Sequence, residues 1–176
     1  MKERKNEIGA IQELSETISK AFKNGNNLFI CGNGGSAAEA DHMAAELVGK
    51  YMIDDRPALP AYSLTNSPAI LTSLGNDIGF ENVFSRQVEA YGNEGDILLV
   101  LTTSDAIGDH SKNLLNALNE AKSKGMITAG LVSKERTHDL PLDMGVYCEG
   151  SETFTIQENQ LRALHNICGI VEKAFA

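Results

Sequence analysis

The sequence predicts an α/β fold: a three-layer, doubly wound, five-stranded parallel sheet of the flavodoxin type, with an N-terminal helix. Two observations predict it. Short, continuously apolar segments, typical of strands buried on both faces, alternate along the chain with helical patterns. In addition, a glycine-rich loop and a hydroxyl-rich loop follow two of these segments, and ligands of such sheets bind beyond the carboxyl ends of the strands.

Each element has a local signal. Apolar side chains at three- and four-residue spacing predict a first helix over 6–24. Ser36 stands where it would cap the second helix, and Ser67 followed by Pro68 has the pattern of an N-cap and a first-turn proline. The predicted strands are 28–31, 61–64, 96–101, 126–132 and 144–148. The further predicted helices are 36–50, 68–75, 80–91, 111–124 and 154–175.

Composition restricts the class of protein. The 176 residues, 42% hydrophobic and 22% charged, suit a single domain over 1–176 with a real core. Fifteen basic and twenty-four acidic residues give a net charge of −9, which argues against nucleic acid and anionic membranes as partners. The three cysteines form no CxxC pair, and the N-terminus lacks the apolar segment of a signal peptide. We therefore expect a cytoplasmic protein.

The loop Gly32-Asn33-Gly34-Gly35-Ser36 lies between a predicted buried strand and a helix start. Glycines let backbone N–H groups approach a ligand closely, and a helix N-terminus favours negative charge. The loop is therefore a candidate phosphate or carboxylate site, and the alternative is a tight turn. It is neither a GxGxxG nor a Walker motif, so no nucleotide cofactor is expected.

A second loop, Thr102-Thr103-Ser104, follows the most apolar strand. Three successive hydroxyls can donate hydrogen bonds to phosphate without adding charge. Because such clusters are also common in turns, this sequence fits a binding loop and a plain loop equally well. Ser111, before the next helix, either supplies a further hydroxyl or caps that helix.

Two predicted helices carry groups suited to proton transfer. His42 and Glu46 are four residues apart on one helix face, and Gln157 and His165 are eight apart on one side of the last helix. A carboxylate and an imidazole transfer protons near neutral pH, and the same groups can hold a divalent metal ion. The alternatives are a solvated helical pair for His42 and Glu46, and a hydrogen-bonded core histidine for His165.

Four stretches together resemble the phosphoheptose isomerases, within the sugar isomerase (SIS) domain group. They are CGNGGSAAEADHMAAELVGKY, RPALPA, LGNDIGFENVFSRQVEAYGNEGDILLVLTTS and IQENQLRALHNICGIVE. The resemblance implies a homotetramer with active sites at subunit interfaces. It also implies conversion of sedoheptulose 7-phosphate to D-glycero-D-manno-heptose 7-phosphate, an early step toward activated heptose.

The resemblance also implies a role for individual residues. Glu46 and His165 match the catalytic pair of the family. One zinc ion per subunit is possible, and the residues that match its ligands in some members are His42, Glu46, Gln157 and His165. The implied substrate contacts are Asn33, Gly34, Gly35, Ser36, Glu46, Asn76, Asp77, Thr102, Thr103, Ser104, Ser111 and Gln157.

Three departures from the family pattern bear on the substrate. Residues 105–110 bring two carboxylates beside the expected phosphate site, the loop after the fourth strand is not glycine-rich, and Thr155 stands where many relatives carry arginine. Another ketose phosphate or another product configuration therefore stays open. The alternatives from other classes are a non-catalytic SIS protein that binds a sugar phosphate or a partner such as a replication initiator, and a sugar-phosphate-sensing regulatory module.

Overall fold

The computed structural model describes residues 6–104, 111–137 and 139–176. Its centre is a five-stranded, fully parallel sheet with the strand order β2-β1-β3-β4-β5. The strands are β1 Leu28–Gly32, β2 Ala61–Ser63, β3 Ile97–Thr102, β4 Ile127–Ser133 and β5 Met144–Cys148. The α-helices are α1 Glu7–Lys23, α2 Gly35–Val48, α3 Pro68–Asp77, α4 Ser85–Tyr91, α5 Lys112–Ser123 and α6 Thr153–Lys173. A 3₁₀ turn covers Phe80–Asn82.

Helices cover both faces of the sheet, as the uninterrupted apolar strands predict. Strand β3 shows why: Ile97, Leu99 and Leu101 pack into the core formed with α1, α2 and α6, whereas Leu98 and Val100 pack into the core formed with α4 and α5. A strand that faces two cores must be apolar at every position. The predicted doubly wound, three-layer architecture with an N-terminal helix is therefore confirmed.

Strand register brings the two candidate loops together. Gly32, the last residue of β1, is paired with Leu101 of β3, and the sheet is parallel. The loops that leave these two strands consequently lie side by side at the carboxyl edge of the sheet. No helix within the described ranges is long and apolar enough to cross a membrane.

Several predicted helix ends are wrong by a few residues. Ser36 does not cap α2, because the N-cap position is Gly34, whose φ of 56° favours glycine, and Ser36 is buried in the first turn. Helix α3 continues past Gly75 to Asp77, and the chain turns instead at Gly79, where φ is 89°. The single helix predicted over 80–91 is divided into the 3₁₀ turn and α4. The Ser67–Pro68 start of α3 is confirmed, since Ser67 accepts a hydrogen bond from the Ile70 amide.

Candidate active site

A cavity of about 200 Å³ opens at the carboxyl ends of β1 and β3. Its lining comprises Asn33, Gly35, Ser36, Leu101, Thr102, Thr103, Ser104, Ser111, Leu114, Thr153 and Gln157. These residues include the first turn of α2, the residue before α5 and the first residue of α6. Three helix N-termini, each carrying a partial positive charge, therefore border one cavity whose described lining is uncharged. This arrangement favours an anion.

The glycines of the first loop are required by close contacts. A Cβ atom on Gly32 would lie 2.7 Å from Ser36, and one on Gly35 would collide with the side-chain amide of Gln157. The loop thus brings α2 against α6 at the point where Gln157 enters the cavity. The tight turn and the binding loop, considered above as alternatives, are compatible, because the turn is what exposes the loop to the cavity.

The hydroxyls of the second loop differ in their surroundings. Thr102 is buried, and its Oγ1 lies 3.3 Å from Ser104 Oγ and accepts a hydrogen bond from the Ser104 amide at 3.2 Å. Thr103 and Ser104 are half-buried along the cavity. From the β4 side, the buried Thr137 donates to the Ser104 carbonyl at 3.1 Å. Thr102 therefore shapes the loop, while Thr103 and Ser104 are more open to a ligand.

Asn33 is held in place by a residue that the sequence analysis missed. Asn33 and the buried Asn113 exchange two amide hydrogen bonds, both 2.9 Å long. Asn33 Nδ2 also lies 3.5 Å from Ser111 Oγ. Ser111 occupies the N-cap position of α5 with a left-handed φ of 76°, but its side chain makes no capping bond to the described residues. Ser111 is thus the N-cap residue by position, but its hydroxyl does not cap the helix and instead lines the cavity.

The candidate acid and imidazole groups of α2 and α6 meet. The Nε2 atoms of His42 and His165 are 2.9 Å apart, and His42 Nε2 is 3.5 Å from Glu46 Oε1. Tyr51 stacks on the other side of His165, with ring centroids 5.7 Å apart and planes 13° apart. All four residues are half-buried. His165 is therefore not a core histidine, and His42 is in contact with α6 rather than only with solvent.

The donor types of this cluster suit zinc, which is commonly bound by imidazole and carboxylate. Two opposed imidazole nitrogens at 2.9 Å share one proton, and a metal ion can take that proton's place. In the present arrangement no three His, Cys, Asp or Glu side chains within the described ranges are close enough to hold a metal ion. Zinc ligation stays a prediction.

The structure does not bring every predicted site residue to this place. Asn76 and Asp77 lie exposed at the end of α3, where Asn76 Nδ2 donates to Asp77 Oδ1 at 2.8 Å, and neither lines the cavity. The two carboxylates of 105–110 lie outside the described residues. Arg136, from the loop after β4, does not line the cavity, but it donates to Oγ1 of the lining residue Thr153 at 3.1 Å and to the Ser151 carbonyl.

Glu39, on α2, is a second residue that the sequence analysis missed. It lies one turn before His42, and burial raises the pKa of its carboxyl to about 7. Its Oε2 is buried and has no hydrogen-bond partner among the described residues. Nothing in the local sequence signals this environment, because a glutamate on an amphipathic helix is usually solvated.

The fold and the cavity are those of a SIS domain, whose family model matches residues 1–133. The phosphoheptose isomerase of Sulfurimonas denitrificans is 41% identical over 97% of this chain and 86% of its own length. That of Synechocystis is 46% identical over 93% of this chain and 82% of its own. A solved phosphoheptose isomerase from Francisella tularensis superposes with a TM-score of 0.86 at 34% identity, covering 94% of this chain and 86% of that one.

The chain belongs to the phosphoheptose isomerase family. This membership confirms the resemblance described above and the prediction of an isomerase. The family model ends at β4, whereas the relatives also align with nearly all of the remainder.

Proposed function

We propose that this isomerase converts sedoheptulose 7-phosphate to D-glycero-D-manno-heptose 7-phosphate, for the synthesis of activated heptose. One observation carries the proposal. The cluster of His42, Glu46 and His165 lies two helical turns along α2 and α6 from the anion cavity at Gly35 and Gln157. Seven or eight residues of helix span about 10–12 Å. That separation suits a sugar whose phosphate is at the far end of its carbon chain from the carbonyl.

The reaction needs a base at carbon and an acid at oxygen. Glu46 removes a proton from C1 while the C2 carbonyl oxygen gains a proton from His165, which gives an enediol. The O1 hydroxyl then gives its proton to His165, which restores the imidazole, and the Glu46 carboxyl returns a proton to C2, so that the carbonyl is at C1. His42 contacts both groups and orients the His165 ring through the contact between the two Nε2 atoms. Binding of the distant phosphate supplies orientation without entering the chemistry.

The proposal includes one zinc ion per subunit, held by His42, Glu46 and His165. Gln157, the fourth predicted ligand, lies about two helical turns away at the anion cavity and does not join this cluster within one chain. When bound, zinc acts as a Lewis acid toward the oxygens of the enediolate. The donor chemistry supports this assignment, since two imidazoles from adjacent helices already oppose each other beside a carboxylate. Metal analysis of wild type and His42→Gln tests it independently of turnover, with about one zinc per chain expected only in the wild type.

We further propose a homotetramer with active sites at subunit interfaces. Exposed apolar side chains support it: Ile8 is 80% exposed and Met52 is 69% exposed, and both line a groove that contains His165. Asn76 and Asp77 would reach a sugar from a neighbouring subunit. Sedimentation of a fully active monomer would contradict this part of the proposal. All three of the chain's cysteines are buried and free, which is consistent with a cytoplasmic location.

Incubation with sedoheptulose 7-phosphate, followed by NMR detection of an aldose phosphate, tests the reaction. The alternative substrates, ketose phosphates of five and six carbons, are assayed in parallel and should turn over far more slowly. Preference for one of them would replace the substrate but keep the reaction class. Absence of turnover with every ketose phosphate, together with tight binding of a protein partner, would instead favour a non-catalytic SIS protein.

A further inference from the structure

A buried ion pair joins the ends of the two helices that carry the acid and the imidazole. Arg56, in the segment 49–60 between α2 and β2, places its Nε 3.5 Å from Oε2 of Glu172 in the last full turn of α6. The two side chains are 0% and 1% exposed. Removing both charges from water carries a large penalty, which is offset only where further hydrogen bonds satisfy them. The partners of each group therefore indicate what the pair does.

Arg56 caps the helix that carries Glu46. Its Nη2 donates to the carbonyl of Glu46 at 2.5 Å, and its Nη1 donates to the carbonyl of Leu47 at 2.7 Å. Carbonyls in the last turn of a helix have no partner within the helix. The guanidinium supplies that partner, and one of the two carbonyls belongs to the candidate base itself. The position of the Glu46 backbone thus depends on Arg56.

Glu172 holds the segment that packs on His165. Its carboxylate accepts hydrogen bonds from the amide of Met52 at 2.9 and 3.1 Å and from the amide of Ile53 at 3.3 Å. Met52 directly follows Tyr51, whose ring stacks on His165. Glu172 also lies seven residues after His165, two turns along the same side of α6. One carboxylate therefore orders the residues that hold the imidazole.

We infer that Arg56 and Glu172 form a positioning pair, which aligns α2 and α6 so that Glu46 and His165 act on one substrate. The inference rests on the proposed isomerase reaction. Neither residue lines the anion cavity. The pair acts through the Glu46 backbone on one side and through Tyr51 and His165 on the other. Its loss should therefore reduce turnover more than substrate affinity.

The test compares two neutralised ion pairs. Arg56→Gln with Glu172→Gln removes both buried charges without leaving one unpaired. The matched control is Glu7→Gln with Arg162→Gln, an exposed Arg–Glu pair, 2.7 Å apart, that joins α1 to α6. With sedoheptulose 7-phosphate, we expect kcat to fall about 100-fold in the first double variant, with KM changed by less than about threefold. The control should retain kcat. Arg56→Lys, which keeps the charge but not the planar two-carbonyl bridge, should recover only part of the rate.

A second measurement does not depend on turnover. The chain has only four histidines, so the imidazole proton resonances can be assigned by NMR with single variants. The stacked Tyr51 ring shifts the His165 resonance, and Tyr51→Leu defines its position without the ring. We expect the first double variant to move the His165 resonance toward that position, and the control to leave it unchanged. If the double variant does not fold, Arg56→Lys provides the same comparison.

The outcomes separate the two proposals. Unchanged kcat in the first double variant, or an unmoved His165 resonance, would overturn the positioning pair. If wild type turns over no ketose phosphate, the proposed reaction fails, and the NMR comparison alone then decides the inference.

Discussion

His42 and His165, which are 123 residues apart in the chain, face each other across α2 and α6 with their Nε2 atoms 2.9 Å apart. A contact this short requires one ring to donate and the other to accept, so the two imidazoles are coupled. Glu46 borders the same nitrogen of His42. Glu46, His42 and His165 therefore form one continuous polar cluster that joins α2 to α6.

The first prediction concerns the candidate acid and base. Glu46→Gln and His165→Ala should each lower kcat for sedoheptulose 7-phosphate by about 100- to 10,000-fold, because a positioned proton-transfer group contributes rate enhancements of that order. Both variants should fold, since both side chains are half-buried and outside the core clusters. Glu16→Gln, exposed on α1, is the control and should keep the wild-type rate. Near-normal rates in both variants would show that other groups transfer the protons.

The second prediction concerns the amide pair behind the cavity. Asn113→Asp removes the donor to Asn33 Oδ1 and buries a carboxylate, so the free energy of unfolding should fall by about 1–3 kcal/mol. Because Asn33 loses its fixed orientation, KM should rise about tenfold. Urea denaturation and steady-state kinetics measure the two effects. Asn119→Asp, exposed on the same helix, should show neither, and an equal response in both variants would contradict a specific role for Asn113.

The third prediction concerns pH. Burial raises the pKa of Glu39 to about 7, from about 4.5 in a solvated chain. Between these values the folded state binds more protons than the unfolded state, so Glu39 lowers stability as pH rises from 4.5 to 7. Glu39→Gln should therefore be more stable than wild type by about 1 kcal/mol at pH 8, a value reduced for partial exposure.

The advantage of Glu39→Gln should nearly disappear at pH 4.5, where the carboxyl is protonated in the folded state and about half protonated in the unfolded state. Urea denaturation of both proteins at the two pH values measures it. A stability difference that is the same at pH 4.5 and pH 8 would show that Glu39 is not desolvated.

The fourth prediction separates the two reasons for glycine in the first loop. Gly35→Ala should cost about 1–3 kcal/mol through overpacking against Gln157, and Gln157→Ser should relieve that cost in a double-mutant cycle. At Gly34 a Cβ atom would meet no neighbour, so Gly34→Ala should lower the free energy of unfolding by about 1–2 kcal/mol only because of the positive φ. Its cost should be independent of residue 157. If Gln157→Ser relieved both substitutions equally, the contact between Gly35 and Gln157 would not explain the glycine.

The sequence predicted the features that depend on local pattern. The uninterrupted apolar run of β3 predicted a strand between two layers, and spacing alone placed His42 with Glu46 and Gln157 with His165. That α2 and α6 would bring His42 and His165 together followed from the family resemblance, because no local pattern encodes a contact between distant helices.

Other features depend on tertiary structure and could not be predicted. Arg56 looks like a solvated loop residue until its partner on α6 is known, and the same is true of Glu172. Asn113 cannot be identified as a site residue from the sequence, because its role on α5 depends on its hydrogen bonds with the distant Asn33. Ser36 was placed wrongly as a cap because a serine before a helical pattern is the commoner signal, while Gly34 and the sheet edge determine where α2 begins.

The anion cavity is formed mainly by segments that leave the strands, whereas the acid and imidazole lie on interior turns of two long helices. In the proposed reaction, recognition and chemistry are therefore encoded in separable parts of the chain. Changes of length or charge between Ser104 and Ser111 would then alter the sugar that is bound, while the proposed proton-transfer groups, Glu46 and His165, keep their positions. Substrate range in this scaffold can thus diverge faster than reaction type.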